Sequence, residues 1–208
     1  EHENLDHKVY LILRKMIIDR KLLPGEKIPQ ENLAQDLGIS RTPLVSALKF
    51  LEQEKLIEVK PRRGFFVRLF TKQEMVSIFE LREVLEGLAA RRAASNITDT
   101  QIIRLKGFFK QFAKLTDITD YKAYAIEDRR FHNFLTEIGS KEFLKSILET
   151  CNIISYSYQL VNSEGLVRPP NETIKEHQAM IEAIANRDSV TAEDLMRLHF
   201  KKSIAKLK

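Results

Sequence analysis

Apolar side chains recur at helical spacing from the start of the chain. Leu5, Val9, Ile12, Leu13, Met16 and Ile17 predict an amphipathic helix over residues 5–22. Pro24-Gly25 ends it, a pair suited to a tight turn. A short helix follows at about 30–37 with Leu33, Ala34 and Leu37, and Gly38 supplies the turn after it. A third helix starts at Ser40-Arg41-Thr42-Pro43, where hydroxyls can cap and proline is tolerated. It runs through Leu44, Ala47, Leu48 and Leu51 to about Glu54. Two β-prone segments, 56–60 and 65–69, are then joined by Pro61-Arg62-Arg63-Gly64. Three helices and a hairpin predict a winged helix-turn-helix over residues 1–70, with the helix-turn-helix at about 30–53 and the wing at about 56–69.

Thr71-Lys72-Gln73-Glu74 has the pattern of a capping box and opens a second unit, residues 71–208. Only helices are predicted there, at about 72–95, 99–115, 119–138, 141–160, 171–186 and 189–206, with Asp99, Ser140 and Asp188 as N-caps. The expected fold class is therefore mainly α: a winged helix-turn-helix followed by an all-α six-helix bundle.

Composition narrows the function classes. The 208 residues are 43% hydrophobic and 30% charged, as in an ordinary globular protein, and seven Gly with six Pro suit long helices. One cysteine, Cys151, excludes an internal disulfide framework and fits a reducing compartment. No apolar run approaches the roughly 18–20 residues that span a bilayer, and the first residues lack a signal pattern. A cytoplasmic location is expected. The net charge is +5, but residues 40–70 hold seven Lys or Arg against three Glu. That excess suits a polyanion or a solvated basic surface, and charge alone does not choose between them. No His-Glu-x-x-His motif and no nucleophile beside a base is present, which argues against an enzyme.

Residues Asn32 to Pro43, Asn-Leu-Ala-Gln-Asp-Leu-Gly-Ile-Ser-Arg-Thr-Pro, resemble the helix-turn-helix of the GntR family of bacterial transcription regulators, and Pro61 to Val67 resemble its wing. The resemblance implies double-stranded DNA as partner. The candidate DNA-binding residues are Arg41, Thr42, Ser46 and Lys49 on the third helix, and Arg62, Arg63 and Gly64 at the wing tip. An Arg at the start of a helix in the major groove can read guanine, and a basic tip can reach the minor groove. The family pattern has an Arg and an acid where this chain has Val45 and Ser46, so the usual operator sequence does not transfer.

In the second unit, polar residues fall on apolar faces: Arg82 with Ile78 and Leu85, Asp128 with Tyr124 and Phe131, His177 with Ile174 and Ile181, His199 with Leu195 and Met196. Burying unpartnered charge costs several kcal/mol, so these groups should meet one another, an ion or a ligand. Any one histidine alone is more simply a hydrogen-bonded core residue. Asp128 and His132 are four apart and project from one helix face. His177 and His199 each lie eleven residues from the turn at Asp188, which puts them level across a helical hairpin. One carboxylate and three imidazoles suit a divalent transition metal of the zinc, nickel or manganese class.

This unit is similar to the metal-binding FCD effector domain of the FadR subfamily, VanR-like branch. The family's Asp-x-x-x-His and two later histidines map onto Asp128, His132, His177 and His199. The resemblance implies that Arg82 pairs with the carboxylate of a small organic acid. Asn152, opposite Asp128 across the Gly139-Ser140 turn, is a further candidate for orienting that ligand. It also implies a homodimer on a palindromic operator, and a repressor modulated by the acid. Two other readings stay open: a regulator in which the metal is the signal or a staple, and a metalloenzyme with an accessory DNA-binding unit.

Overall fold

The computed structural model describes residues 5–113, 115, 117–158 and 166–208. They form two compact units, one ending at Phe70 and one running from Thr71 onward apart from Tyr156–Tyr158.

The first unit holds α1 (Leu5–Ile18), α2 (Gln30–Asp36), α3 (Arg41–Gln53), β1 (Ile57–Lys60) and β2 (Gly64–Val67). α1 stops at Ile18, short of the expected 22, because Arg20 takes a left-handed backbone and the amides of Lys21 and Leu22 turn back to the Met16 carbonyl. Val9, Leu13 and Ile17 of α1 pack with Leu44, Leu48 and Leu51 of α3 in the core of this unit. β1 and β2 pair antiparallel, with Ile57 opposite Val67 and Lys60 opposite Gly64. The chain before α2 adds backbone hydrogen bonds to the wing, from Gly25 to Val67, Val67 to Glu26 and Ile28 to Phe65. This ties the base of the hairpin to the entrance of the helix-turn-helix.

The second unit is helical: α4 (Lys72–Asn96), α5 (Asp99–Leu105), α6 (Tyr121–Gly139), α7 (Glu142–Tyr158), α8 (Pro170–Ala185) and α9 (Ser189–Leu207). α4 begins at the expected capping box, with Thr71 and Glu74 bonded reciprocally. It packs along most of α9 and against α6. Three expectations shift. Thr98, not Asp99, caps α5 through a second capping box with Gln101. α5 also ends at Leu105 rather than near 115, and the chain goes on as turns in which Phe109 is left-handed. Those turns point Phe108, Phe109 and Phe112 inward, so their apolar character is used without a helix. Ser140 likewise closes α6 rather than opening α7.

α4 and α6 approach as closely as backbone allows. A Cβ at Gly139 would stand 1.9 Å from the carbonyl oxygen of Ala89, so glycine is required there for contact rather than for torsion. Gly139→Ala is expected to cost about 3 kcal/mol, the upper part of the usual range for overpacking. Urea unfolding of the intact chain measures it.

Candidate functional site

α4, α6, α8 and α9 bring His132, His177 and His199 together in the interior of the second unit. Ring centroids are 5.6 Å apart for His132–His177, 5.5 Å for His132–His199 and 4.9 Å for His177–His199. One ring nitrogen from each can be chosen so that all three lie within 4.8 Å of one another, a spacing that a single ion can bridge. All three side chains are buried.

The outer nitrogen of each ring is already committed. His132 Nδ1 donates to Glu86 Oε2 at 2.5 Å, and His199 Nδ1 donates to Glu176 Oε2 at 2.8 Å. His177 Nδ1 lies 3.0 Å from the Tyr124 hydroxyl, which lies 2.8 Å from Thr173 Oγ1, which in turn donates to the Pro170 carbonyl. A carbonyl only accepts, so that chain runs one way: Thr173 donates to Pro170, Tyr124 to Thr173 and His177 Nδ1 to Tyr124. In the neutral form of each ring Nε2 is therefore the lone-pair nitrogen. Partners of this kind fix the tautomer and ring orientation of metal-binding histidines.

His177 Nε2 is the informative atom. It is buried, has no hydrogen-bond partner among the described residues, and stands 3.3 Å from Asp128 Oδ1. The same carboxylate oxygen is 4.0 Å from His132 Nε2. An acceptor facing an acceptor out of water is unfavourable unless a cation is shared between them. His132, His177 and His199 form a donor set whose chemistry fits a divalent transition ion, with the Asp128 carboxylate beside two of them.

Electrostatics agree. Burial pushes His177 well below the usual imidazole range, and the neighbouring His199 and His132 rings would further oppose a proton there, so the ring is neutral. Burial likewise lowers His199, against the opposing hydrogen bond of Glu176. Burial would lower His132 as well, but the Glu86 carboxylate outweighs it and holds its pKa up. Burial would raise Glu86, yet Arg82 and His132 hold it down at about 2. Burial raises the Tyr124 hydroxyl and Asp128 raises it further, so Tyr124 stays a neutral donor.

Beside the histidines lies a cavity of about 40 Å³, lined by Phe79, Arg82, Asp128, His132, Leu166, Val167, Arg168, Thr173, His199, Phe200 and Ser203. Arg82 reaches it with its guanidinium bound to Glu86 Oε1 at 2.7 Å and held 5.3 and 4.7 Å from the ring centroids of Phe79 and Phe200. Asn152 is buried on α7 and bonds to Asn133, and it does not line the cavity. Three partners were not foreseen from the sequence. Glu86 was traceable, because it follows Arg82 by one helical turn on the same buried face. Glu176 and Arg168 gave no such signal, one adjoining His177 on α8 and the other lying before the helix.

In the first unit, α3 presents Arg41 and Thr42 at its exposed N-terminal end, with Ser46 half-buried and Lys49 exposed farther along. A groove of about 480 Å³ runs between this end and the wing tip, bordered by Lys27, Gln30, Asn32, Arg41, Arg62, Arg63 and Gly64. Arg62 and Gly64 are both left-handed, which shapes the tight tip.

Residues 5–67 match the model of the bacterial regulatory proteins of the gntR family, and residues 77–202 match the FCD domain. The chain belongs to the GntR family and carries an FCD domain. It is a DNA-binding transcription regulator and not an enzyme. The HTH-type transcriptional regulator YdhC of Bacillus subtilis is 27% identical over 201 residues, covering 96% of this chain and 89% of that protein. The HTH-type transcriptional repressor RspR of Escherichia coli is 25% identical over 202 residues, covering 94% and 85%. The E. coli McbR/YncC structure shares the fold, with TM-score 0.78 at 20% identity over 99% of this chain and 97% of that one. Among the described residues of this GntR chain no helix is long and apolar enough to cross a membrane.

The Arg82–Glu86 pair tests how far the centre depends on its outer partners. Arg82→Met leaves the Glu86 carboxylate buried beside His132 alone. Breaking such a pair is expected to cost about 3–5 kcal/mol, and Arg82→Met with Glu86→Gln should recover part of the loss. Denaturant unfolding of the three proteins checks this.

Proposed function

We propose that this regulator is a repressor whose operator binding is modulated by a small carboxylate held at a divalent metal in the FCD domain. The observation that carries the reading is the buried, partnerless His177 Nε2 facing the Asp128 carboxylate. Asp128, His132, His177 and His199 would hold a zinc, nickel or manganese-class ion. When bound, the ion supplies a Lewis-acidic position for a carboxylate oxygen. With four protein ligands, a six-coordinate ion keeps two positions open.

This chain's residues set the limits on the acid. A cavity needs about 10–15 Å³ of such space per water, so about 40 Å³ admits an acid of only a few heavy atoms. Arg82 adjoins that space, and pairing it with the acid means sharing it with Glu86. Thr173 and Ser203 offer hydroxyls on the cavity wall. Repression is the named role of the RspR relative. Homodimerisation would present two winged helices to a palindromic operator, in a cytoplasmic protein. The acid acts only through its difference in affinity between DNA-binding and released forms. The smallness of the cavity also suits the metal itself as the signal.

On the DNA side, Arg41 reads a base and Arg63 holds phosphate. Arg41→Ala is expected to cost about 1–3 kcal/mol on a duplex selected from a random pool and to relax preference at one position. Arg63→Ala should weaken all duplexes alike and reduce the salt slope by about one. Fluorescence anisotropy over a salt series separates the two.

Elemental analysis of untagged protein tests the metal: about one ion per chain is expected in the wild type and none in His177→Ala. Small carboxylates should then shift duplex affinity by about tenfold in metal-loaded protein and leave stripped protein unchanged. No metal in the wild type after incubation with zinc, nickel and manganese overturns the reading. Chelation that alters DNA affinity while no carboxylate does makes the metal the signal.

A further inference from the structure

Arg168 has no part in the function proposed so far, yet it is one of the most heavily bonded side chains at the cavity. It lies before α8, buried to 6% exposure. Its Nη1 donates to Glu176 Oε1 at 3.0 Å and its Nη2 to Glu176 Oε2 at 2.5 Å, a two-pronged grip on one carboxylate. Nε donates to Ser203 Oγ at 3.2 Å, and Nη2 lies 3.2 Å from both the carbonyl and Nδ1 of His199; only the carbonyl accepts from it, because Nδ1 carries the proton given to the nearer Glu176 Oε2. The gripped oxygen, Glu176 Oε2, is the one that accepts from His199 Nδ1.

Every nitrogen of this guanidinium is committed, so an entering acid cannot use Arg168 without dismantling the contact to Glu176. The arrangement repeats one seen on the other side of the centre. There Arg82 holds Glu86, and Glu86 accepts from His132 Nδ1. Two Arg–Glu–His series thus converge on the same point, one from α4 and α6 and one from α8 and α9. Glu176 needs its arginine because its side chain is 16% exposed and could otherwise swing toward water. Lys202 also touches Glu176 Oε1 at 2.7 Å, but that lysine is 48% exposed and reaches the oxygen farther from His199.

We infer that Arg168 is a positioning residue for the metal centre: by gripping Glu176 it fixes His199 with Nε2 turned toward His132 and His177. This rests on the metal reading above. It concerns orientation and ligand strength, since a carboxylate on Nδ1–H both locks the ring and makes Nε2 a better donor.

The test is zinc affinity by chelator competition on the full chain, with the visible spectrum of the cobalt(II)-loaded protein as a second readout. Arg168→Gln and Glu176→Gln should each weaken zinc binding by about 10–100-fold, the usual effect of losing such an outer partner. The double variant should be no weaker than Glu176→Gln alone, because both changes act through one path. Arg168→Lys keeps the charge but not the two-pronged grip, and should recover only part of the affinity. The cobalt spectrum should shift in Arg168→Gln even where the metal-free unfolding midpoint is unchanged, which a purely structural pin would not produce. Should Arg168→Gln fail to fold, Arg168→Lys and Glu176→Gln carry the comparison. Wild-type affinity in the folded Arg168 variants, or losses that multiply in the double variant, overturns the inference and leaves the metal reading intact. No zinc bound by the wild type overturns both.

Discussion

Taking an ionised carboxylate out of water costs several kcal/mol unless its lone pairs are met, and Glu86 is 2% exposed at the middle of the second unit. Arg82 on the same helix and His132 from α6 satisfy it together. That three-way contact specifies the separation and register of α4 against α6. A slide of one residue on either helix would strand one buried ionisable group against apolar surface. The close approach at Gly139 and Ala89 serves the same end by bringing the two backbones near enough for the Glu86–His132 bond to form. Apolar packing could hold these helices in several registers, whereas the buried polar groups select one.

The same logic orders the other half of the centre. α8 and α9 form a hairpin about Asp188, whose side chain caps α9 through the Thr191 amide. The equal spacing of His177 and His199 from that turn brings their rings 4.9 Å apart. Phe109 then stacks on His177 at 4.6 Å with the planes 4° apart, closing the back of the ring. It does so from a left-handed backbone position that few phenylalanines adopt, in the turns that follow α5.

This explains what was legible beforehand. That the three histidines would meet could be expected because helical periodicity and a symmetric turn convert sequence distance into spatial distance. Arg82 was visible as a charge on an apolar stripe. Boundaries that depend on one backbone torsion, at Arg20 and Phe109, left no trace in residue type, since neither arginine nor phenylalanine advertises a left-handed conformation. Glu176 and Arg168 were hidden for another reason. Their roles arise from contacts across 23 and 31 residues to His199, and neither sits on a stripe that marks it as interior. On the DNA-facing unit the motif was plain, but the groove reaching back to Lys27 and Gln30 depends on strand pairing that no local pattern encodes.

The distribution of charge around the cavity bears on how an acid would be recognised there. Both arginines on its wall already have carboxylate partners, so neither offers an uncompensated positive charge. In their neutral forms the histidines bonded through Nδ1 to Glu86 and Glu176 turn lone pairs inward, and Asp128 adds a further negative group. A metal-free centre therefore presents acceptors to an incoming anion, which would be repelled rather than held. A divalent cation held there would reverse the sign of that surface. On the proposed reading, acid affinity and metal affinity are then coupled by necessity, each raising the other by the same factor. A regulator built as proposed would answer to an organic acid only when the metal is present, because both arginines on the cavity wall are already paired with carboxylates.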